Sequence, residues 1–195
     1  MIIYYTDKFT GGREESHRLL KDALEVYTGD EERAKTLIRS LKKGEHGKPY
    51  IEGFSCFSIS HTGSVWAVLF ADRECGLDIQ FGRDCDIKAI SSRFFAPGDA
   101  AVIKELCIEG KNDESAEAFF RAWTRREALT KAVGGTVYDP DIPEVLTGEA
   151  DIGGRHYKLT EAIFPDMDID SRRKLYTAVC IEGRSACPDI SFHLL

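Results

Sequence analysis

Two oxygen-bearing side chains, Asp78 and Gln80, alternate with the apolar residues Leu77 and Ile79. On a β-strand, residues two apart share a face, so Leu77 and Ile79 are expected to face the core and the polar pair the opposite side. A carboxylate and an amide side by side can bind a hard cation such as Mg²⁺. By itself this segment favours a simpler interpretation, which is a solvated polar face at the edge of a sheet.

A second polar group comprises Trp123, Glu127 and Lys131, which follow one another at intervals of four residues. On a helix this spacing places them on one face. The carboxylate can bind a metal or accept a proton, and the ammonium can hold a phosphate. The simpler interpretation is a Glu–Lys pair that stabilises the helix by about 0.2–0.5 kcal/mol.

A third group, Ser60-His61-Thr62-Gly63, follows a run that is typical of a strand. Hydroxyls, an imidazole and turn amides at such a point can hold a phosphate through hydrogen bonds. A hydrolase is disfavoured, because neighbouring strand residues point to opposite faces and the chain lacks a G-x-S-x-G motif. A plain Ser/Thr turn is an equally good interpretation.

Two further basic residues are candidates for binding an anion. Lys48 precedes Pro49, whose ring favours an extended backbone and can present the lysine as a point charge to a phosphate. Arg18 belongs to a predicted helix. Most lysines in turns and most helical arginines are simply solvated, so neither residue is specific alone.

The periodicity of apolar residues predicts the elements that must position these groups. Strands are predicted over residues 2–5, 54–60, 64–70, 75–81, 155–163, 174–181 and 190–194, and helices over residues 14–27, 30–41, 87–95, 99–107 and 115–132. Asp30 and Asp99 are expected to cap the helices that begin there. A polar turn is expected over residues 42–49, a tight connection at 61–63 and a charged loop over 109–115. The lack of an alternating βαβ pattern predicts an α+β fold, with an N-terminal half, 1–74, and a C-terminal half, 75–195.

Composition limits the classes of function. The chain has 195 residues and a net charge of −7, which argues against general nucleic-acid binding but allows an anion site built from a local basic cluster. No apolar run approaches the ~18 residues of a membrane span, and no leader precedes the first predicted strand, so we expect a cytoplasmic protein. The six cysteines lack the close spacing of a zinc site and are expected to be mostly buried free thiols.

Taken in order, these motifs resemble the phosphopantetheinyl transferases of the surfactin-synthetase-activating (Sfp) type. The order is Gly-Lys-Pro, Ser-x-Ser-His-Thr-Gly, Gly-Leu-Asp-Ile and Trp-x-x-Arg-Glu-Ala-x-x-Lys, and the resemblance extends from about Arg18 to Lys131. The run Arg-Phe-Phe-Ala-Pro at 93–97 resembles another segment of that family. Four ordered motifs form a far more specific signal than any one of them.

The resemblance implies an activity and an architecture. Members of the family transfer the 4′-phosphopantetheine arm of coenzyme A to a serine of an acyl- or peptidyl-carrier protein and release adenosine 3′,5′-bisphosphate. The implied fold has two pseudo-symmetric α/β halves in one chain, with coenzyme A in the cleft between them. Mg²⁺ is the implied cofactor, coenzyme A and a carrier protein are the implied partners, and a pseudo-dimeric chain is expected to be a monomer.

The resemblance also assigns roles to residues of the C-terminal half. Asp78 and Glu127 correspond to the two metal-binding carboxylates, and Glu127 is also the candidate base. Lys131 corresponds to the lysine that contacts the phosphates. Gln80 stands where the family usually has a glutamate, so it offers the metal a carbonyl oxygen without charge. Arg126 stands where a lysine is usual, and it keeps the charge.

In the N-terminal half, the resemblance assigns five residues to coenzyme A. Ser60 and His61 correspond to the Ser-His pair that meets the nucleotide end, and Lys48 with Pro49 to the Gly-Lys-Pro motif. Arg18 corresponds, more loosely, to an arginine that reaches the adenosine 3′-phosphate.

Two alternatives remain open at this point. Instead of a transferase, the chain could be a homologue that binds coenzyme A with weak or no transfer, because Gln80 weakens the metal site. It could also be an unrelated α+β interaction domain whose motifs are coincidental. Activity on any carrier protein would exclude the first alternative, and binding of coenzyme A would exclude the second.

Overall fold

The structure is a computed structural model that describes residues 1–139, 141–165, 167–169, 173–185 and 187–195. The helices are α1 Arg13–Thr28, α2 Glu31–Arg39, α3 Ile87–Phe94, α4 Pro97–Ile108 and α5 Asn112–Val133. The strands are β1 Ile2–Thr6, β2 Lys42–Lys43, β3 Pro49–Tyr50, β4 Cys56–Thr62, β5 Val65–Ala71, β6 Cys75–Phe81, β7 Glu149–Ile152, β8 Arg155–Thr160, β9 Leu175–Glu182 and β10 Ser191–Leu194.

Two four-stranded sheets form the centre of the fold. The first has the order β10-β1-β5-β4 and the second the order β6-β9-β8-β7, while β2 and β3 form a small hairpin. Within the described residues, every strand pair is antiparallel except β1 with β10. The α+β prediction is confirmed. The predicted boundary near residue 74 falls between β5 and β6, and the last strand, β10, lies in the first sheet beside β1.

The two sheets stack face to face, with helices on their outer sides. In β5, Trp66, Val68 and Phe70 pack toward α1 and α2. The alternate β5 residues pack with Leu77 and Ile79 of β6 in the layer between the sheets. The period-two alternation of a strand therefore explains why all seven residues of β5 are buried.

The outer face of the second sheet is covered by α5, whose Leu129 packs with Ala178 and Cys180 of β9. Asp78 lies on this face, because it alternates with Leu77 and Ile79 and pairs with Ala178. The interpretation of a solvated sheet edge is therefore wrong for Asp78, which is 6% exposed. A helix covers the strand at that point.

The approach of α5 to β6 depends on Gly76. A Cβ atom at this position would lie 1.8 Å from the carbonyl oxygen of Ala128 and 2.8 Å from the backbone nitrogen of Ala132. No side chain fits in that space. Gly76 therefore allows the helix to reach the strand two residues before Asp78.

Strands β4 and β6 run side by side in the same direction at the junction of the two sheets. Side-chain hydroxyls of β4 accept hydrogen bonds from backbone N–H groups of β6, in a regular series with an offset of 19 residues. The pairs are Ser58 with Leu77 (3.0 Å), Ser60 with Ile79 (3.1 Å) and Thr62 with Phe81 (3.4 Å). These bonds satisfy amides on the edge of β6 that would otherwise be buried without a partner.

Several predicted boundaries are corrected. The predicted polar turn over 42–49 contains β2 and the first residue of β3, and the tight connection is Gly63-Ser64, because His61 and Thr62 belong to β4. Gly63 has a φ of 54°, the left-handed region that a short hairpin turn requires. Strand β7 was not predicted, because its four residues are too few to show a clear alternation.

Two helices begin two or three residues earlier than predicted. Helix α5 begins at Asn112 rather than 115, with acidic residues in its first turn, where the helix dipole favours them. Helix α4 begins at Pro97, so Asp99 is not its cap. Asp99 is instead buried and accepts hydrogen bonds from the backbone N–H groups of Val145 (2.8 Å) and Leu146 (3.2 Å).

All six cysteines are free thiols, as predicted, but the expectation that most of them are buried is wrong. Two of them, Cys75 and Cys180, are buried, and the other four are partly buried. None of the described helices combines the length and the apolarity that crossing a bilayer requires.

Candidate active site

Asp78 is a buried carboxylate in the middle of β6 whose two oxygens have different surroundings. Its Oδ1 accepts hydrogen bonds from the Lys131 ammonium at 2.7 Å and from the Ser60 hydroxyl at 3.0 Å. Its Oδ2 is buried without a hydrogen-bond partner among the described residues. A buried oxygen without a partner is energetically costly, so Oδ2 is suited to a bound ligand.

Lys131 lies in the last turn of α5 and joins three groups across the junction of the two sheets. Its Nζ donates to Asp78 Oδ1, to the Ser60 hydroxyl at 3.0 Å and to the carbonyl oxygen of Leu77 at 3.0 Å. An ammonium has three donors, and these three contacts use all of them. The lysine is therefore held in one position, with a positive charge at the mouth of the site.

Glu127 lies one turn before Lys131 and is partly buried. Burial raises the pKa of this carboxyl to about 7, and the negative charge of Asp78 adds to the effect, while Lys131 and Arg126 oppose it. A carboxyl with a pKa near neutrality can accept and release a proton at physiological pH. Glu127 is thus placed to act as a general base.

These side chains line one open cavity of about 310 Å³ between β4, β6 and α5. Its lining consists of Ile59, Ser60, His61, Asp78, Ile79, Gln80, Trp123, Glu127 and Lys131. The structure therefore brings together six residues that the sequence singled out as site residues. They come from three separate segments of the chain.

Two further cavities continue from this one toward the β2–β3 hairpin, and the three cavities together form the cleft. The nearer one, about 240 Å³, shares Ile59 and Lys131 with the first and is also lined by Lys48 and Pro49. The farther one, about 740 Å³, shares Lys48 and Pro49 with the second. Lys48 itself donates to Glu74 at 2.6 Å and to the carbonyl oxygen of Ala132 at 2.9 Å.

His61 and Arg18 occupy more exposed positions. The His61 ring lies 5.2 Å from that of Phe9. Arg18 forms ion pairs with Asp22 (2.9 Å) and Glu15 (3.5 Å) on its own helix. It lines a separate cavity of about 500 Å³ that shares no residue with the cleft. The structure therefore does not bring Arg18 together with the other predicted site residues.

Arg126 has a role that sequence reasoning did not identify. It is 5% exposed, and its guanidinium donates to the carbonyl oxygens of Val137 (3.0 Å) and Asp139 (2.8 Å). These bonds hold the loop that follows α5, and Gly134 and Gly135 at the start of that loop line the cleft. An arginine makes such a forked contact better than a lysine does, which gives a physical reason for arginine at this position.

Glu74 and Ser60 also acquire roles that the sequence did not show. Glu74 is not among the predicted site residues, yet it is the ion-pair partner of Lys48. Ser60 was expected to meet a ligand, yet its hydroxyl contacts two other predicted site residues. No pattern in the sequence indicates these pairings, because the partners lie on different elements.

Comparison with known proteins supports the resemblance found in the motifs. Residues 74–160 match the sequence model of the 4′-phosphopantetheinyl transferase superfamily. The chain is 32% identical over 124 residues to the 4′-phosphopantetheinyl transferase AcpT of Salmonella typhimurium, covering 59% of this chain and 62% of that protein. It is 31% identical over 131 residues to HetI of Nostoc sp., covering 65% and 52%, and 29% identical over 131 residues to gsp of Aneurinibacillus migulanus, covering 62% and 53%. The chain thus spans between about half and 62% of the length of these relatives.

Proposed function

We propose that this chain, whose residues 74–160 match the 4′-phosphopantetheinyl transferase superfamily, transfers the 4′-phosphopantetheine arm of coenzyme A to a serine of an acyl- or peptidyl-carrier protein. Adenosine 3′,5′-bisphosphate is the other product. The observation that carries the proposal is the convergence of Asp78, Glu127 and Lys131 on one cavity, within the segment that matches the superfamily.

The serine of the carrier protein attacks the β-phosphorus of coenzyme A, and its hydroxyl proton must be removed. Glu127 is the candidate acceptor, because its raised pKa allows it to take a proton near neutrality and its side chain lines the cavity. Lys131 places a positive charge beside the pyrophosphate. This charge favours departure of the adenosine bisphosphate, on which negative charge develops.

Mg²⁺ is the cofactor we propose for this site. The donor set fits a hard cation, because Asp78 Oδ2 is buried without a hydrogen-bond partner and Glu127 and Gln80 line the same cavity. When bound, the ion neutralises charge on the pyrophosphate. In the described part of the chain no three His, Cys, Asp or Glu side chains are grouped to hold a metal, so substrate phosphates and water would complete the coordination.

For the nucleotide end of coenzyme A we propose the cleft that leads from Lys131 to the β2–β3 hairpin. Lys48 and Pro49 line its second and third cavities, and His61 lines the first. Lys48 carries a positive charge that Glu74 now neutralises, and a phosphate can compete for it. We leave Arg18 out of this proposal, because it lines a different cavity.

We further propose that the two stacked sheets correspond to two pseudo-symmetric halves with the ligand cleft between them, apart from β10, which the C-terminal half adds to the first sheet. The β4–β6 junction supports this arrangement, since the cavity that holds Asp78 is lined from both strands. A single chain that supplies both halves does not need a second copy to complete the site, which favours a monomer.

Mass spectrometry of an apo carrier protein tests the function. Incubation with this protein, coenzyme A and Mg²⁺ should add one phosphopantetheine group to the carrier. Asp78→Ala and Glu127→Ala should each abolish the addition while circular dichroism shows an intact fold. Binding of coenzyme A without transfer to acyl- or peptidyl-carrier proteins would instead identify a binding homologue and overturn the proposal.

A further inference from the structure

The hydroxyl of Ser60 is fully engaged inside the protein. A serine hydroxyl has one donor and two acceptor positions. The Ser60 oxygen accepts from the backbone N–H of Ile79 at 3.1 Å and from the Lys131 ammonium at 3.0 Å. Its single proton is donated to Asp78 Oδ1 at 3.0 Å. Nothing remains on this hydroxyl with which to bind a ligand.

We infer that Ser60 is a positioning residue, which fixes Asp78 and Lys131 for transfer rather than holding coenzyme A. The expected effect on transfer rests on the proposed function. Ser60 is 5% exposed and belongs to the first sheet, whereas Asp78 belongs to the second and Lys131 to α5. One hydroxyl thus connects the three elements that build the site.

Loss of this hydroxyl has a specific structural consequence. Asp78 Oδ1 would keep only the contact with Lys131, and the buried amide of Ile79 would lose its partner. The carboxylate plane would then be free to turn, which would move Oδ2 away from its present position. Catalysis is sensitive to displacements of this size, because reacting groups must meet in a defined geometry.

The chain provides a matched control in Ser58. It lies two residues earlier on the same strand, is 3% exposed, and accepts a hydrogen bond from the backbone N–H of Leu77 at 3.0 Å. Its hydroxyl makes no hydrogen bond to Asp78 or Lys131. Ser58→Ala therefore removes a hydrogen bond between the sheets without touching the carboxylate or the ammonium. Because Ser58 also lines the 240 Å³ cavity of the cleft, this variant is the control for kcat and not for the Kd of coenzyme A.

The experiment compares Ser60→Ala, Ser58→Ala and Ser60→Thr with the unmodified protein. Three quantities are measured, namely the thermal midpoint, the Kd of coenzyme A by calorimetry, and kcat and KM for transfer. We expect both alanine variants to lose thermal stability, and Ser60→Ala to lose more, because the Ser60 hydroxyl makes three hydrogen bonds and that of Ser58 makes one. Only Ser60→Ala should lose kcat, by about tenfold or more, with the Kd of coenzyme A changed by less than about twofold. Ser60→Thr keeps the hydroxyl and should retain most of kcat.

Four outcomes would contradict the inference or its premise. An increase of the Kd in Ser60→Ala with unchanged kcat would assign Ser60 to coenzyme A binding and overturn the inference. Equal losses of kcat in both alanine variants would show that the Ser60 hydroxyl only stabilises the contact between the sheets. This result would also overturn the inference. A Ser60→Thr variant with a kcat as low as that of Ser60→Ala would overturn the inference as well. An unmodified protein that transfers nothing would overturn the proposed function itself, before any variant is compared.

Discussion

Folding raises the pKa of the Glu127 carboxyl, so the charge of this residue depends on the assembly of the site. Its carboxyl lies in a partly buried position beside the negatively charged Asp78, and both effects favour the protonated form. A base with a pKa of about 7 is poised for proton transfer, but its ionised form is costly to the folded protein. Catalytic suitability and folding stability therefore oppose each other at this one position.

The stability of the metal-free protein should show this cost. Because the folded pKa of about 7 lies above the ordinary value of 4.5, the folded state binds more protons than the unfolded state between these two pH values. The contribution of Glu127 to the free energy of unfolding is therefore fully present below pH 4.5 and falls as the pH rises toward 7. Glu127→Gln should remove this loss, which we expect to be on the order of 1 kcal/mol in this partly exposed setting.

Thermal unfolding in the presence of a chelator measures the effect. Glu127→Gln should be more stable than the unmodified protein at neutral pH, and the difference should shrink in acid. A difference that does not depend on pH would contradict the raised pKa. Transfer activity should be lost in the variant at every pH, because an amide cannot accept the proton.

Gln80 allows a test of the metal site by addition of charge. It lines the same cavity as Asp78 and Glu127, so Gln80→Glu should bring a third carboxylate to the cation. Repulsion from Asp78 and desolvation offset most of the added attraction. We expect the Mg²⁺ concentration for half-maximal transfer to fall about tenfold, which corresponds to ~1.4 kcal/mol. An unchanged midpoint in a magnesium titration would mean that residue 80 does not face the metal.

At the scale of elements, the contact between β6 and α5 determines how Asp78 and Glu127 approach each other. This contact is close because Gly76 has no side chain where the strand meets the backbone of Ala128. A methyl group there would collide with main-chain atoms, which cannot move aside as a flexible side chain can. The distance between strand and helix, and with it the geometry of the site, therefore depends on a residue that takes no part in the chemistry.

Gly76→Ala should therefore destabilise the protein by about 3 kcal/mol, at the upper end of the usual cost of overpacking. Any folded fraction should also show reduced transfer, because α5 would be displaced from β6. Chemical denaturation measures the first effect and the carrier-protein assay the second. Gly44→Ala is the matched control, since its Cβ would meet only an ordinary contact of 3.5 Å with the carbonyl oxygen of Lys48. Equal stabilities of the two variants would contradict the close contact.

At the scale of the whole molecule, the two sheets share one apolar layer and the hydroxyl series between β4 and β6. Leu69 of the first sheet and Leu77 of the second lie in the same buried cluster. Strand β10 also returns from the C-terminal part of the sequence to pair with β1. We therefore expect the two sheets to unfold together rather than one after the other.

The two tryptophans of the chain allow this expectation to be measured. Trp66 lies in β5 of the first sheet, and Trp123 lies in α5, which covers the second. Trp123→Phe leaves a reporter in the first sheet, and Trp66→Phe leaves one beside the second. In each variant, the fluorescence transition should coincide with the transition seen by circular dichroism. Separate midpoints within one variant would show that the sheets are independent units.

Much of the local structure could be predicted from the sequence. The strand Cys75–Phe81 was predicted with its observed bounds, and Asp30 was correctly predicted as the cap of α2, where its carboxylate accepts from the N–H of Arg33. Such features depend on residues within a few positions of each other. Short elements and helix starts were predicted less accurately. The strands β2, β3 and β7 have too few residues to show a period.

The sequence by itself determined which residues are candidates for chemistry, because residue types and their order along the chain suffice to show the motifs. Only the tertiary structure decided what each of them touches. Lys131 and Ser60 are 71 positions apart and share a hydrogen bond, while Lys48 is paired with Glu74 and Arg18 faces another cavity. The physical reason is range: periodicity and capping act over a few residues, whereas the stacking of two sheets and the packing of α5 determine which distant side chains meet.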